Sequence, residues 1–297
     1  MNPRERGFLL LTSHLGDPER KPLTTAQLRT LWSRMRAVER PAEDRELEER
    51  DLLALGYGRE MAARIVALLE QEALLDVYLQ DAKNKGCVPI TLASPDYPDV
   101  LRRTLGLDAP GCLWIKGDAR LLNTPMIALV GSRDLGRDNY DFACLVGREA
   151  AEQGYTLVSG NARGADRTAQ NACLRAGGRV ISVIADELEQ KLEQENVLWV
   201  SEDGFCEGFS ALRALSRNRV IHALGQKTFV AQCTDGQGGT WDGTVKNLRF
   251  GWSPVFCYGD GSDAVKHLVN MGAEEVKPQD LGDISALMGF DRSFLDE

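Results

Sequence analysis

From Gly86 onward, short β-branched apolar runs alternate with stretches of helical periodicity, and no other feature constrains the chain as strongly. The runs are Cys87–Leu92, Cys112–Ile115, Met126–Val130, Thr156–Val158, Arg179–Ile184, Thr228–Ala231 and Val255–Tyr258. Between them, Tyr140–Gln153, Asp166–Ala176, Phe209–Leu224 and Asp263–Asn270 carry apolar residues at helical spacing. Strands apolar on both faces need covering on both faces, and helices that alternate with strands supply it. The pattern predicts an α/β fold with a doubly wound, mainly parallel sheet. Ligands of such sheets sit beyond the carboxyl ends of the strands, where strand order reverses, so chemistry is expected in the turns that follow strands.

The first 84 residues read differently. Leu28, Leu31, Trp32 and Met35 recur at helical spacing behind Thr24-Thr25, which can cap a helix start. A charged stretch, Glu39–Asp51, interrupts before Leu52–Gly56 leads into Met61, Ile65, Leu68 and Leu69. The expected organisation is a small N-terminal helical domain over 1–84, the sheet domain over 85–272 and an acidic tail over 273–297. Within the first domain, the run from Leu53 to Ala62 reads as helix, glycine turn, helix. Such a turn can hold a DNA phosphate, but it is also common in helical bundles without any ligand.

Acidic residues outnumber basic ones, 44 to 35, for a net charge of −9. That balance opposes non-specific binding to a polyanion, so a nucleic-acid role requires a local basic patch. The seven cysteines (Cys87, Cys112, Cys144, Cys173, Cys206, Cys233 and Cys257) are odd in number, and none pairs as C-x-x-C. Reduced thiols are expected, with neither a disulfide framework nor a zinc site. His14, His222 and His267 have no ligand spacing either, so no metal or cofactor is expected. The apolar runs fall far short of the roughly 20 residues that span a bilayer. Met1–Leu11 lacks a cleavage-site pattern, and a cytoplasmic chain is the expectation.

Four turns carry the functional reading. Strand Met126–Val130 ends in Gly131-Ser132-Arg133, and strand Thr156–Val158 ends in Ser159-Gly160-Asn161-Ala162-Arg163-Gly164-Ala165-Asp166. Glycine lets backbone amides approach an anion, a helix start adds partial positive charge, and arginine supplies a forked donor. Asp166 stands where a carboxylate caps the new helix or orients Arg163. Ser216-Arg217-Asn218-Arg219 runs into Val220-Ile221 on a helix, where a solvated basic face is the competing reading. Gly236-Gln237-Gly238-Gly239-Thr240 follows strand Thr228–Ala231 and can present amides and the hydroxyls of Thr240 and Thr244. One such turn would be an ordinary strand–helix connection. Two, each with an arginine, favour a phosphate cradle.

In this order, the turns resemble the DNA-processing protein A (DprA, or Smf) family. The residues that carry the resemblance are Gly131-Ser132-Arg133, Ser159–Asp166, Gly177-Gly178, Arg217-Asn218-Arg219 and Gly238-Gly239-Thr240. Upstream, Asp96-Tyr97-Pro98, Leu101-Arg102 and Trp114-Ile115-Lys116-Gly117-Asp118 look like that family's entry segment. The resemblance covers about residues 86–260 and implies a Rossmann-like sheet domain that binds single-stranded DNA. It implies loading of a RecA-type recombinase during transformation or repair, no catalysis, and Arg133, Arg163, Arg217 and Arg219 as phosphate contacts. A homodimer is compatible with it. The run Phe205–Leu215 departs from the family by lacking a proline-bearing stretch.

A sensor or hydrolase for a small nucleotide is the alternative. The lysine-decarboxylase-like nucleoside phosphate hydrolases carry G-G-x-x-G-x-x-E, whereas this chain has Gly236-Gln-Gly-Gly239-Thr-Trp-Asp-Gly243 without the spaced glutamate. Asp166 and Asp242 remain conceivable acids. No G-x-x-x-x-G-K-[ST] occurs, and the Gly131 turn lacks full G-x-G-x-x-G spacing. Charge is also segregated. Asp186–Glu207 holds eight acids against Lys191, while Phe209–Phe250 has six basic residues against Asp235 and Asp242. A basic groove beside an acidic wall containing Glu189, Glu193 and Glu195 is one expectation, and a solvated acidic helix face is the other.

Overall fold

A computed structural model describes residues 1–37 and 47–289, which form two compact units. One comprises Met1–Tyr97 with Gly111–Leu113, and the other comprises Pro98–Pro110 with Trp114 onward. The main division falls at Tyr97/Pro98, with Gly111–Leu113 returning to the first unit.

In the N-terminal unit, five helices, α1 (Pro3–Thr12), α2 (Thr25–Ala37), α3 (Glu49–Ala54), α4 (Arg59–Leu69) and α5 (Glu72–Asn84), precede strand β1 (Val88–Thr91). Thr24 caps α2: its hydroxyl accepts from the Gln27 amide, and the Gln27 side chain accepts from the Thr24 amide. Leu28 and Leu31 join Phe8, Leu52, Ile65 and Leu68 in the core, whereas Trp32 and Met35 of the expected stripe remain exposed. Part of the charged stretch Glu39–Asp51, residues 39–46, lies outside the described residues. At the glycine turn, the amides of Gly56 and Tyr57 donate to Leu53 and Leu52 carbonyls. They close α3 and are not offered to a ligand.

The second unit contains α6 (Asp99–Leu105), the Trp114–Lys116 part of β2 (Cys112–Lys116), β3 (Met126–Val130), α7 (Arg137–Glu152), β4 (Thr156–Ser159), α8 (Ala165–Arg175) and β5 (Arg179–Val183). There follow β6 (Val197–Ser201), α9 (Ala211–Ser216), α10 (Asn218–Leu224), β7 (Thr228–Val230), α11 (Gly238–Phe250), β8 (Val255–Tyr258), α12 (Asp263–Asn270) and β9 (Glu274–Val276). Its strands lie in the order β2-β6-β5-β4-β3-β7-β8-β9, all parallel except β2 against β6. The expected α/β, doubly wound and mainly parallel sheet is what forms. From β3 the chain winds outward through β4, β5 and β6, then returns to place β7 on the other side of β3. Strand order reverses between β3 and β7. All five residues of β3 are buried, as a central strand covered by helices on both faces requires.

Three expectations are corrected here. Residues from 273 do not begin a tail: β9 pairs in parallel with β8, and Leu281 and Ile284 of the following 3-10 segment Pro278–Ala286 are buried in the sheet's core. Only 290–297 of that stretch lie outside the described residues. Asp186–Glu207 is not a helix face, because Val197, Leu198 and Val200 build the buried strand β6 in its middle. Phe209–Leu224 is not one helix, since it breaks at Arg217 into α9 and α10.

Candidate functional site

The carboxyl ends of β3 and β7 open onto a cleft of about 920 Å3, at the point where strand order reverses. A smaller lobe of about 300 Å3 shares Arg133, Ala162, Phe209, Ala214 and Arg217 with it. Gly131, Ser132, Arg133, Asp166, Arg217, Asn218, Gly238, Gly239 and Thr240 line the cleft, and Gly160 and Arg163 line the lobe. The fold thus gathers segments more than a hundred residues apart in the chain.

Each turn is held by its neighbours. The Ser132 amide and hydroxyl both donate to the Gln232 carbonyl, at 2.9 and 3.2 Å, and the Gln232 side chain accepts from the Gly136 amide at 2.9 Å. The end of β7 therefore straps down the loop that carries Arg133. On the other side, the Ala165 amide donates to the Ser132 carbonyl. Gly164, at φ +88°, packs so close that a Cβ would collide with the carbonyl oxygens of Ser132 and Arg133. Asn218 ties the third turn to the fourth, its side-chain amide donating to the Gly239 carbonyl at 3.0 Å. The first amides of α11, at Gly238–Thr240, have no intrahelical acceptor, which leaves a positively polarised helix start at the cleft wall.

Arg217 is the buried cation of the site. Its guanidinium lies against Gly160, where any Cβ would occupy the same space, and its Nε is buried without a hydrogen-bond partner. Burial pulls its pKa down against the opposing pull of Asp166. Asp166 neither caps α8, whose N-cap is Gly164 without a side-chain bond, nor orients Arg163, which pairs with Asp134: its carboxylate accepts from the loop amides of Gly160 and Ala162, both at 3.2 Å. Burial raises its pKa, while Arg217 and those amides hold it back. Arg133 lines both lobes and makes no hydrogen bond or ion pair within the described residues.

Three expected site residues lie outside the lining. Ser159 is buried and donates to the Leu129 carbonyl at 2.8 Å. Gly164 shapes the turn from behind. Arg219 spends its guanidinium on Glu202 at 2.7 Å, the Asp108 carbonyl and Ser216, so it ties α10 to the end of β6. The Thr244 hydroxyl, expected to face phosphate, is buried and donates to the Thr240 carbonyl.

The acidic wall resolves differently as well. Glu202 pairs with Arg219, Asp203 with Arg213, and Asp186 with Lys191. Of the eight acids, Asp186 is the one that lines the lobe. The basic share is similarly consumed: Arg213 is engaged by Asp203 and the carbonyls of Ala185, Glu207 and Gly208, and Lys227 by the carbonyls of Ile284 and Ser285. Arg217 and Lys246 are the members of that share that reach the cleft.

Residues not singled out from the sequence complete the lining. Phe209 is an aromatic with 61% exposure that faces both lobes. Leu215, Gln232, Asp134 and Lys246 join it. His222 lies under the cleft, its Nδ1 3.0 Å from the Asn247 side-chain nitrogen. Asn247 also accepts the Ser253 amide on its oxygen, so its nitrogen must face the ring, Nδ1 accepts, and the imidazole proton is on Nε2. For Gln232 a sequence signal existed, since it directly follows a strand at the reversal point. For Phe209 none did.

Residues 89–283 match the family model described as DNA recombination-mediator protein A. The chain belongs to the DNA recombination-mediator protein A family. Within this family it is 31% identical over 182 residues to DNA processing protein DprA of Streptococcus pneumoniae, covering 57% of this chain and 64% of that protein. It is also 31% identical to protein Smf of Escherichia coli, over 46% of this chain and 39% of that protein. The chain thus matches less than two thirds of the length of these curated relatives. The crystal structure of the S. pneumoniae DprA superposes with a TM-score of 0.72 at 26% identity, covering 95% of this chain and 98% of that one. The DprA of Helicobacter pylori, whose structure concerns its binding of single-stranded DNA, shares the fold at a TM-score of 0.55 and 23% identity, over 65% of this chain and 93% of that one. Among the described residues, no helix is long and apolar enough to cross a membrane.

Proposed function

We propose that this family member binds single-stranded DNA in the β3/β7 cleft and acts as a recombination mediator. The observation that carries this reading is the convergence of Arg133, which has no partner among the described residues, and Arg217, whose Nε is buried and unpaired, on one cleft at the strand-order reversal. A buried guanidinium without a full set of acceptors is costly unless a ligand supplies them. Phosphate does so, together with the open amides of α11. Exposed Phe209, which lines the same two lobes as both arginines, offers a face on which an unpaired base can stack, and a duplex keeps its bases stacked internally. Arg133, Arg163 and Arg217, with the turn amides of Gly131, Gly160, Gly238 and Gly239, are the proposed phosphate contacts. The chemistry assigned to the cleft is binding, with no bond made or broken. Loading of a RecA-type recombinase onto the bound strand, and a homodimer as the bound form, follow from the resemblance and complete the proposal.

The test is fluorescence anisotropy with labelled oligo-dT across a salt series, with mononucleotides as competitors. Affinity is expected to fall steeply as salt rises, because each phosphate contact releases condensed counterions. Displacement of the oligonucleotide by stoichiometric mononucleotide, or a salt-independent affinity, would overturn this reading in favour of a nucleotide sensor.

A further inference from the structure

The cations around the cleft are unequally available. Arg163 donates through Nη2 to Asp134 Oδ1 at 2.7 Å, and Lys246 Nζ meets Asp242 Oδ2 at 2.8 Å. Asp134, Asp242 and Lys246 line the main cleft, and Arg163 lines the adjoining lobe. Arg133, which lines both the cleft and the lobe, has no partner among the described residues. We propose that Asp134 and Asp242 are resident carboxylates that occupy Arg163 and Lys246 in the free protein, so that single-stranded DNA enters by exchanging carboxylate for phosphate. This inference rests on the single-stranded DNA reading above and assigns to Asp134 the setting of affinity.

The chemistry of the exchange is direct. Carboxylate and phosphate present similar oxygens to a guanidinium or ammonium group, so either can satisfy the same donors. Both members of the Asp134–Arg163 pair are largely exposed, and an exposed ion pair is weak enough to be traded. The displaced carboxylate remains on the cleft rim, where it opposes the incoming strand and takes up a cation from solution. Net ion release on binding is therefore smaller than the number of phosphate contacts implies. Arg133 has no carboxylate to shed and makes the first contact. An acidic protein thereby holds a polyanion with moderate affinity and releases it again.

Affinity for labelled oligo-dT and its salt dependence are measured for the wild type, Asp134→Asn, Asp242→Asn, Arg163→Ala and the double variant Asp134→Asn/Arg163→Ala. Asp134→Asn is expected to bind about three- to tenfold tighter, with a log–log salt slope steeper by up to about 0.7, the release expected per single-strand phosphate contact. Asp242→Asn is expected to change in the same direction. The gain from Asp134→Asn should largely vanish in the double variant, because the cation it frees is gone. Unchanged or weaker binding by Asp134→Asn, with the wild type binding as proposed, would overturn the exchange. So would an equal gain with and without Arg163, which would reduce Asp134 to a general repulsive charge. A wild type that does not bind oligo-dT removes the underlying function as well, a result distinct from either.

Discussion

At the scale of single residues, burial determines what a side chain can do. Arg133, Arg217 and Arg219 look alike in the sequence, yet one lines the cleft without a partner among the described residues, one is buried against Gly160, and one is tied to Glu202. His222 shows the same effect on a titration. It is fully enclosed, and desolvation lowers its pKa from 6.5 to about 3. In the unfolded chain the imidazole takes up a proton near its ordinary pKa, while the folded protein resists protonation down to about pH 3. The unfolded state therefore binds more protons across that window, and stability falls as pH drops through it, by up to about 1.4 kcal/mol per pH unit. Above pH 6.5 this contribution is complete and constant. In urea titrations between pH 7.5 and pH 4.5, the wild type is expected to lose about 2 kcal/mol more than His222→Gln, which keeps an acceptor for Asn247 without the titrating ring. Parallel pH profiles for the two proteins would refute this.

At the scale of elements, strands apolar on both faces and helices with a clear periodicity were legible, and those that mixed signals were not. Met126–Val130, Val255–Tyr258 and Asp263–Asn270 form where the pattern puts them. β6 was hidden because its five residues sit inside the acidic run, and β9 because Glu274-Glu275-Val276 is polar and lies at the sheet's edge. The break at Arg217 was also illegible, since Ser216–Val220 contains no glycine or proline to announce it. That break gives the arginines on either side of Asn218 separate tasks: Arg217 turns into the cleft and Arg219 turns toward Glu202. Arg133→Ala should therefore weaken binding of oligo-dT about tenfold or more while leaving stability within about 0.5 kcal/mol. Arg219→Ala should instead cost about 1–3 kcal/mol in denaturant unfolding, because it strands the nearly buried Glu202 carboxylate. Equal destabilisation by the two substitutions would show that this division of labour is wrong.

At the scale of the whole molecule, a net charge of −9 stands against the proposed anion-binding cleft, and of the basic residues near it Arg213 and Arg219 are already paired with Asp203 and Glu202. Selectivity then depends on access. Arg217 is 8% exposed and lies in the cleft, so a phosphate must enter to reach it. A flexible strand can thread a phosphate inward and place a base on Phe209, whereas a stiff duplex presents its phosphates on a convex surface and brings more charge toward an acidic protein. Single-stranded oligonucleotides are expected to bind at least about tenfold tighter than duplexes of equal length and indifferent sequence in competition anisotropy. Equal or tighter duplex binding would refute that preference. By itself the sequence determined the fold class, the parallel sheet and the glycine–arginine turns, because period and local turn chemistry depend on residues close along the chain. Only the tertiary structure decided which arginines are paired, which carboxylate sits beside which cation, and that Phe209 faces the cleft. Those outcomes depend on residues brought together from distant segments, and on the cost of burying a charge, which no local pattern encodes.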